Sequence, residues 1–148
     1  MSDPYRLRRF VVAQDEGDTY RTAVSELRVG RKRTHWMWFI FPQVAGLGQS
    51  PVSRTYAIAS LAEAAAYLAD PVLGDRLLEC ARILTEASEA SAQDIFGGTD
   101  AMKLRSSMTL FARAAPKQPL FQQVLDRYFD GRADEATDRL LKEPAGSE

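Results

Sequence analysis

THWMWFIFP, residues Thr34–Pro42, is the stretch on which the fold turns. Its aromatic and branched side chains favour a strand, because such residues pack well on a pleated surface. A strand must also find partners for its backbone N–H and C=O groups, and the chain contains no second convincing strand. Trp36, Phe39 and Ile40 recur at helical spacing, and Thr34 is a suitable cap. The spacing therefore predicts a short helix from Thr34 to Phe41, apolar nearly all round and largely buried, which the ring of Pro42 ends. On that reading the chain is all-α.

Helix signals recur outward in both directions. Towards the N-terminus, Gly30 is placed to close TYRTAVSELRV, a helix with Asp18 as its cap and Tyr20, Ala23, Val24 and Leu27 on one face. Before it, Asp3-Pro4 sets a capping acceptor and a first-turn proline ahead of YRLRRFVVAQD. Towards the C-terminus, SPVSRTYA can start a helix at Ser50, and Ser60 with Glu63 forms a capping box before AEAAAYLA. Asp70-Pro71 opens the longest helix, PVLGDRLLECARILTEAS. Ser91 with Asp94 starts a short turn that ends at Gly97-Gly98, and Thr99 caps DAMKLRSSMTLFARAA up to Pro116. Pro119 to Asp130 and DEATDRLLKE complete the series. Connections are only a few residues long. The expectation is a single compact domain over residues 1–148, with about seven to nine short helices, an ordered core at about 4–143 and a frayed tail at 144–148.

Composition narrows the partners. The 148 residues are 45% hydrophobic and 26% charged, ordinary for a folded soluble protein. The formal net charge is −1, so no overall field draws in nucleic acid, and recognition of an anion has to be local. The single cysteine, Cys80, excludes an internal disulfide. Paired-cysteine, multi-histidine and calcium-loop spacings do not occur, so neither a metal nor a cofactor is expected. The N-terminus MSDPYRLRRF lacks an apolar signal region and no run is long enough to span a bilayer, which points to the cytoplasm and to no membrane partner. Oligomeric state has no signature.

The chemistry concentrates around the stretch already quoted. Arg31, Lys32 and Arg33 run into the sole histidine, His35, and then into both tryptophans, Trp36 and Trp38. The bland reading is a solvated charge cluster beside core aromatics. The functional reading is that arginine forks hold a phosphate while an indole stacks a base. About 200° of helix separates Trp36 from Trp38, so one indole suits a pocket wall, and the sequence does not say which. The turn VAGLGQS brings Gly46 and Gly48, which let the backbone approach a ligand, with Gln43 and Ser50 as polar readers. On DAMKLRSSMTLFARA, Leu104, Met108 and Phe111 face the core, while Arg105, Thr109 and Arg113 fall on the opposite, wet face. Lys103 and Ser107 lie one turn apart between these faces. Ser107 either bonds the carbonyl near Lys103 or, with Lys103, contacts a bound anion.

GRKRTHWMWFIFPQ, GLGQS, YLADPVLGDRL and DAMKLRSSMTLF resemble the bacterial family catalogued as domain of unknown function 1810, over about Tyr5 to Leu141. The resemblance implies a mainly helical single domain and no established activity, substrate or cofactor. Asp70, at a place where the family often has histidine, reads better as a helix cap than as a catalytic group.

These features converge on one expectation. Arg31, Arg33, Trp36, Trp38, Gln43, Gly46, Gly48, Ser50, Lys103 and Ser107 surround a pocket for a small anionic ligand, a nucleotide or phosphorylated metabolite. If a reaction occurs, His35 is the candidate base. The alternative is a protein-interaction module that uses the Arg/Trp-rich strip without catalysis.

Overall fold

The computed structural model describes residues 3–86 and 90–142. Among these, the regular structure is helical, and local sequence accounts for most of it. Helix α1 (Arg8–Asp15) starts later than Tyr5, because Arg6 takes a left-handed conformation at φ 53°. The Asp3 carboxylate nevertheless accepts from the Leu7 and Arg8 N–H groups at 2.8 and 3.0 Å. A 3-10 turn, Glu16–Asp18, leads into α2 (Thr19–Val29). Asp18 does not cap α2 as expected: it is left-handed at φ 58°, whereas a capping side chain needs extended backbone beneath it. Gly30 does close α2, at φ 88°, with its N–H on the carbonyls of Glu26 and Leu27.

The decisive stretch is helical, but only from Met37 to Ile40, which form α3. Thr34 is not its cap. The Thr34 hydroxyl and N–H both bind the Glu26 carboxylate, and Trp36 takes the capping position. Past Pro42 the chain makes one parallel bridge, Val44 to Ile58, in which Ala45 N–H donates to Ile58 and Ile58 N–H donates to Gln43, both at 2.8 Å. No longer pairing occurs among the described residues. Between the bridge partners, Ser50 caps the short α4 (Pro51–Thr55) by accepting from Ser53 N–H.

Helix α5 (Leu61–Ala69) is capped by the Ser60 hydroxyl, while Glu63 reaches back to Ala59 N–H instead of Ser60. In α6 (Pro71–Glu86) the Asp70 carboxylate accepts from Val72 and Leu73 N–H at 2.9 and 3.0 Å. Asp70→Ala should therefore cost about 1 kcal/mol in urea denaturation. An unchanged midpoint would show the cap to be idle. The predicted end of this helix, Ala87–Ser88, lies outside the described residues, as does the predicted tail at 144–148.

Ser91 and Asp94, expected to start a short turn, form a reciprocal capping box at the start of α7 (Ala92–Ala114). Gly97, at φ 79° and ψ 166°, breaks the run, and the helix is already under way again at Thr99, so Thr99 is no cap. The chain continues as α8 (Leu120–Phe129) and α9 (Glu135–Lys142). Helix α7 is central and packs on α5, α8 and α9. Leu104, Met108 and Phe111 are fully buried, and the rings of Tyr67, Phe111 and Phe121 follow one another through the core.

The predicted wet face of α7 is not wet along its length. Thr109 is fully buried; its hydroxyl accepts from Asp134 N–H and donates to the Arg105 carbonyl. Arg105 holds the carbonyls of Arg132 and Ala133, and Arg113 forms a two-pronged pair with Asp138 at 2.8 and 3.0 Å. A single helix cannot reveal that a later one docks on its polar side. No helix among the described residues is long and apolar enough to cross a membrane.

Candidate functional site

One carboxylate on α2 organises the segment from Arg31 to Trp36. Glu26 Oε1 accepts from Arg33 N–H at 2.8 Å, Thr34 N–H at 3.1 Å and the Trp36 indole N–H at 2.8 Å. Its Oε2 accepts from the Thr34 hydroxyl at 2.9 Å. Burial works against the charge of Glu26, but the bonds from Arg33, Trp36 and Thr34 outweigh it and hold the carboxyl below its ordinary range. The indole thus satisfied, Trp36 packs in the core at 1% exposure. It is a structural tryptophan.

Of the three basic residues, the middle one turns inward. Lys32 Nζ meets Asp100 Oδ2 at 2.9 Å with only 7% of its side chain exposed, and lies 5.0 Å from the Trp36 ring centre. Asp100 also meets Lys103 Nζ at 3.3 Å. Burial disfavours the Asp100 charge, yet Lys32 and then Lys103 keep its carboxyl below the usual range. Lys103 lies 4.1 Å from the centre of the Trp38 ring, a cation against an aromatic face. Lys32, Asp100 and Lys103 therefore connect the two tryptophans.

Trp38, half-buried, forms one wall of a cavity of about 130 Å³ beneath the Gly46–Gly48 turn. Val44, paired to Ile58 by the bridge, also lines it, as does Tyr56, held edge-on by Phe39 at 4.8 Å. Arg9 fixes that segment through the carbonyls of Thr55 and Ala57 and the carboxylate of Glu63. Gly48 is required by close approach: an added Cβ would stand 2.6 Å from Ser53 Oγ. Gly46 has φ 103° and faces Leu140 of α9. Gln43 also lines the cavity. It is 8% exposed, and its Nε2 is buried without a hydrogen-bond partner. Most buried polar atoms in folded proteins are paired, so this one needs an explanation.

The structure thus brings Trp38, Gln43, Gly46 and Gly48 to one cavity and sets Lys103 against its wall. Arg31, Arg33 and His35 are exposed and do not line it. Ser50 serves as the α4 cap. Ser107 makes no bond to the carbonyl one turn back; its hydroxyl is buried and unpartnered, while Ser106 and Thr109 make such bonds. Cys80 is buried, which pushes its thiol up to about 12 and leaves it unreactive.

Sequence reasoning missed Arg54, which lines the cavity and is the cation exposed at its rim, and Tyr56. It also missed Glu26 and Arg9, which hold the two loops. Arg54 and Tyr56 follow closely on the glycine turn and could have been found by reading past Ser50. Glu26 and Arg9 carry no local signal. Among the described residues no group of three or more metal-ligating side chains gathers.

The model of a protein family described as "Protein of unknown function (DUF1810)" matches residues 4–141. The crystal structure of the conserved hypothetical protein Rv1873 from Mycobacterium tuberculosis is 50% identical to the chain, with a TM-score of 0.90. That alignment covers 94% of this chain and 98% of the other. No curated protein matches the chain.

Proposed function

The chain belongs to the DUF1810 family of proteins of unknown function, and we propose that it binds a small anionic ligand, a nucleotide or phosphorylated metabolite, in the cavity under the Gly46–Gly48 turn. The observation that carries this reading is the buried, unpartnered Nε2 of Gln43. Leaving such a donor unsatisfied costs roughly 1–3 kcal/mol, which an acceptor on a ligand would recover. Trp38 and Tyr56 supply aromatic surface, and Arg54 supplies charge at the rim. Lys103 covers one face of the Trp38 ring and so holds it in place. Arg31 and Arg33 lie outside the cavity lining and have no part in this reading, and Ser50 acts by fixing the helix that carries Ser53 and Arg54. The reading is one of binding, without a catalytic step for the exposed His35.

Protein docking through the aromatic strip has less to rest on. Trp36, Ile40 and Phe41 are buried. The large apolar side chains that are exposed, such as Val12, Val29 and Met102, come from separate elements.

The test exploits the opposed effects of one substitution. Gln43→Met removes a donor that has no partner, so the free protein should become more stable by about 1 kcal/mol. The same change should weaken binding of any ligand found in a screen of nucleotides and phosphorylated metabolites by about tenfold. Tryptophan emission and thermal shift measure both. Affinity should also fall with added salt, because Arg54 is exposed. Binding that is indifferent to Gln43→Met would sink this site.

A further inference from the structure

Resting on the reading above, we infer that the group entering the cavity is a single-ring base carrying a carbonyl beside an N–H, with its phosphate left outside at Arg54. Size is the first support. The cavity measures about 130 Å³, close to the roughly 150 Å³ of a protein cavity that takes up benzene. One six-membered ring matches this space, and a purine is larger by a fused five-membered ring. The roof has no slack to give. A Cβ at Gly48 would meet Ser53 Oγ at 2.6 Å and Trp38 Cη2 at 3.7 Å, and one at Gly46 would meet a Leu140 methyl at 3.1 Å. The turn already lies against its neighbours on both sides.

Gln43 is the second support. A carboxamide offers a donor and an acceptor in one plane, and its natural complement is an edge with a carbonyl next to an N–H. Glutamine makes a paired contact of this kind with the adenine edge as well, so it is the size of the cavity that favours the single ring. Bare phosphate would give Nε2 an acceptor but make no use of Trp38 or Tyr56. Lys103 occupies one face of the Trp38 ring, so the indole offers a ligand its edge or its other face. The exposed Arg54 guanidinium, which among the described residues has a 3.4 Å contact to Gln49, is the group left for the phosphate.

The experiment is a tryptophan-emission titration with UMP, nicotinamide mononucleotide, AMP and inorganic phosphate. UMP carries the carbonyl and N–H within the ring, and nicotinamide mononucleotide carries them on an appended amide, so the two arms separate the sources of one chemistry. At least one should bind about tenfold more tightly than AMP or phosphate. Gln43→Glu, which keeps the size but replaces the donor by a carboxylate, should lose about tenfold or more. Gln43→Met should repeat that loss, which keeps the test valid if the glutamate variant fails to fold. Arg54→Ala should bring UMP down to the affinity of uridine and leave uridine unchanged. AMP or phosphate binding as tightly as UMP and nicotinamide mononucleotide overturns the single-ring inference while the anion site stands. Failure of both single-ring probes also overturns it, and the wider metabolite screen then decides the anion site separately.

Discussion

Glu26→Ala should destabilise the protein by about 3 kcal/mol, because it breaks charge-assisted hydrogen bonds and strands a buried indole donor. The carboxylate holds the Arg33 and Thr34 N–H groups, the Thr34 hydroxyl and the Trp36 indole. Trp36 is 1% exposed, so water cannot simply replace the lost acceptor at its N–H. Urea denaturation would measure the loss, and indole emission should shift as the loop from Arg31 to Trp36 loosens. The effect has a pH signature. The Glu26 carboxyl is held below its usual range in the folded protein, so its contribution is fully present above the unfolded value and is lost as pH falls through the folded one. The gap between the parent and Glu26→Gln should therefore be widest near neutrality and shrink in acid, below the ordinary carboxylate range. A gap that grows on acidification would mean that the carboxylate is not the organising group. Loss of stability of less than about 1 kcal/mol would indicate that water takes over its bonds.

Gly74→Ala is the second large effect, and its sign is what makes it informative. In an open helix interior alanine is favoured over glycine by about 1 kcal/mol. Gly74 lies on α6, where an added Cβ would stand 2.1 Å from the Leu68 carbonyl oxygen and 2.9 Å from its carbon. The obstacle is the backbone of α5, which no side-chain rotation relieves. Either α5 and α6 separate at the Asp70-Pro71 corner or the carbonyl is displaced, and the expected loss is about 3 kcal/mol in equilibrium denaturation. Because Gly74 N–H donates to the Asp70 carbonyl at 2.8 Å, the strain falls directly on the first turn of α6. A stabilised Gly74→Ala would mean that the two helices cross with more room than the structure gives them. Gly74 does not line the cavity, so a folded fraction of Gly74→Ala should still bind whatever the parent binds.

The helices and their ends were legible in the sequence because the interactions that specify them are local. Gly30 ends α2, Ser91 with Asp94 starts α7, and Asp70 starts α6, each through bonds to residues within a turn. The core face of α7 followed from period alone, since Leu104, Met108 and Phe111 recur at helical spacing. Much of the candidate site was legible for the same reason: Trp38, Gln43, Gly46 and Gly48 lie close together in the chain and meet at one cavity. Two caps were missed for local reasons, the left-handed backbone of Asp18 and the helix already running at Thr99, and elsewhere a distant partner had intervened. Thr34 looks like a cap but is taken by Glu26, which also delays α3 to Met37. Arg31, Lys32 and Arg33 are equivalent by sequence, and only the position of Asp100 on α7 selects Lys32 to turn inward. Thr109 reads as solvent-facing until α9 docks and Asp134 N–H finds its hydroxyl. The choice between Trp36 and Trp38 as the cavity wall was decided in the same way, by Glu26 claiming one indole and Lys103 meeting the other. A cap or a period depends on neighbours a few residues away and is therefore written in the chain. Burial, charge pairing and the orphaned Gln43 donor depend on which surfaces come together, and that is settled only when the helices have packed.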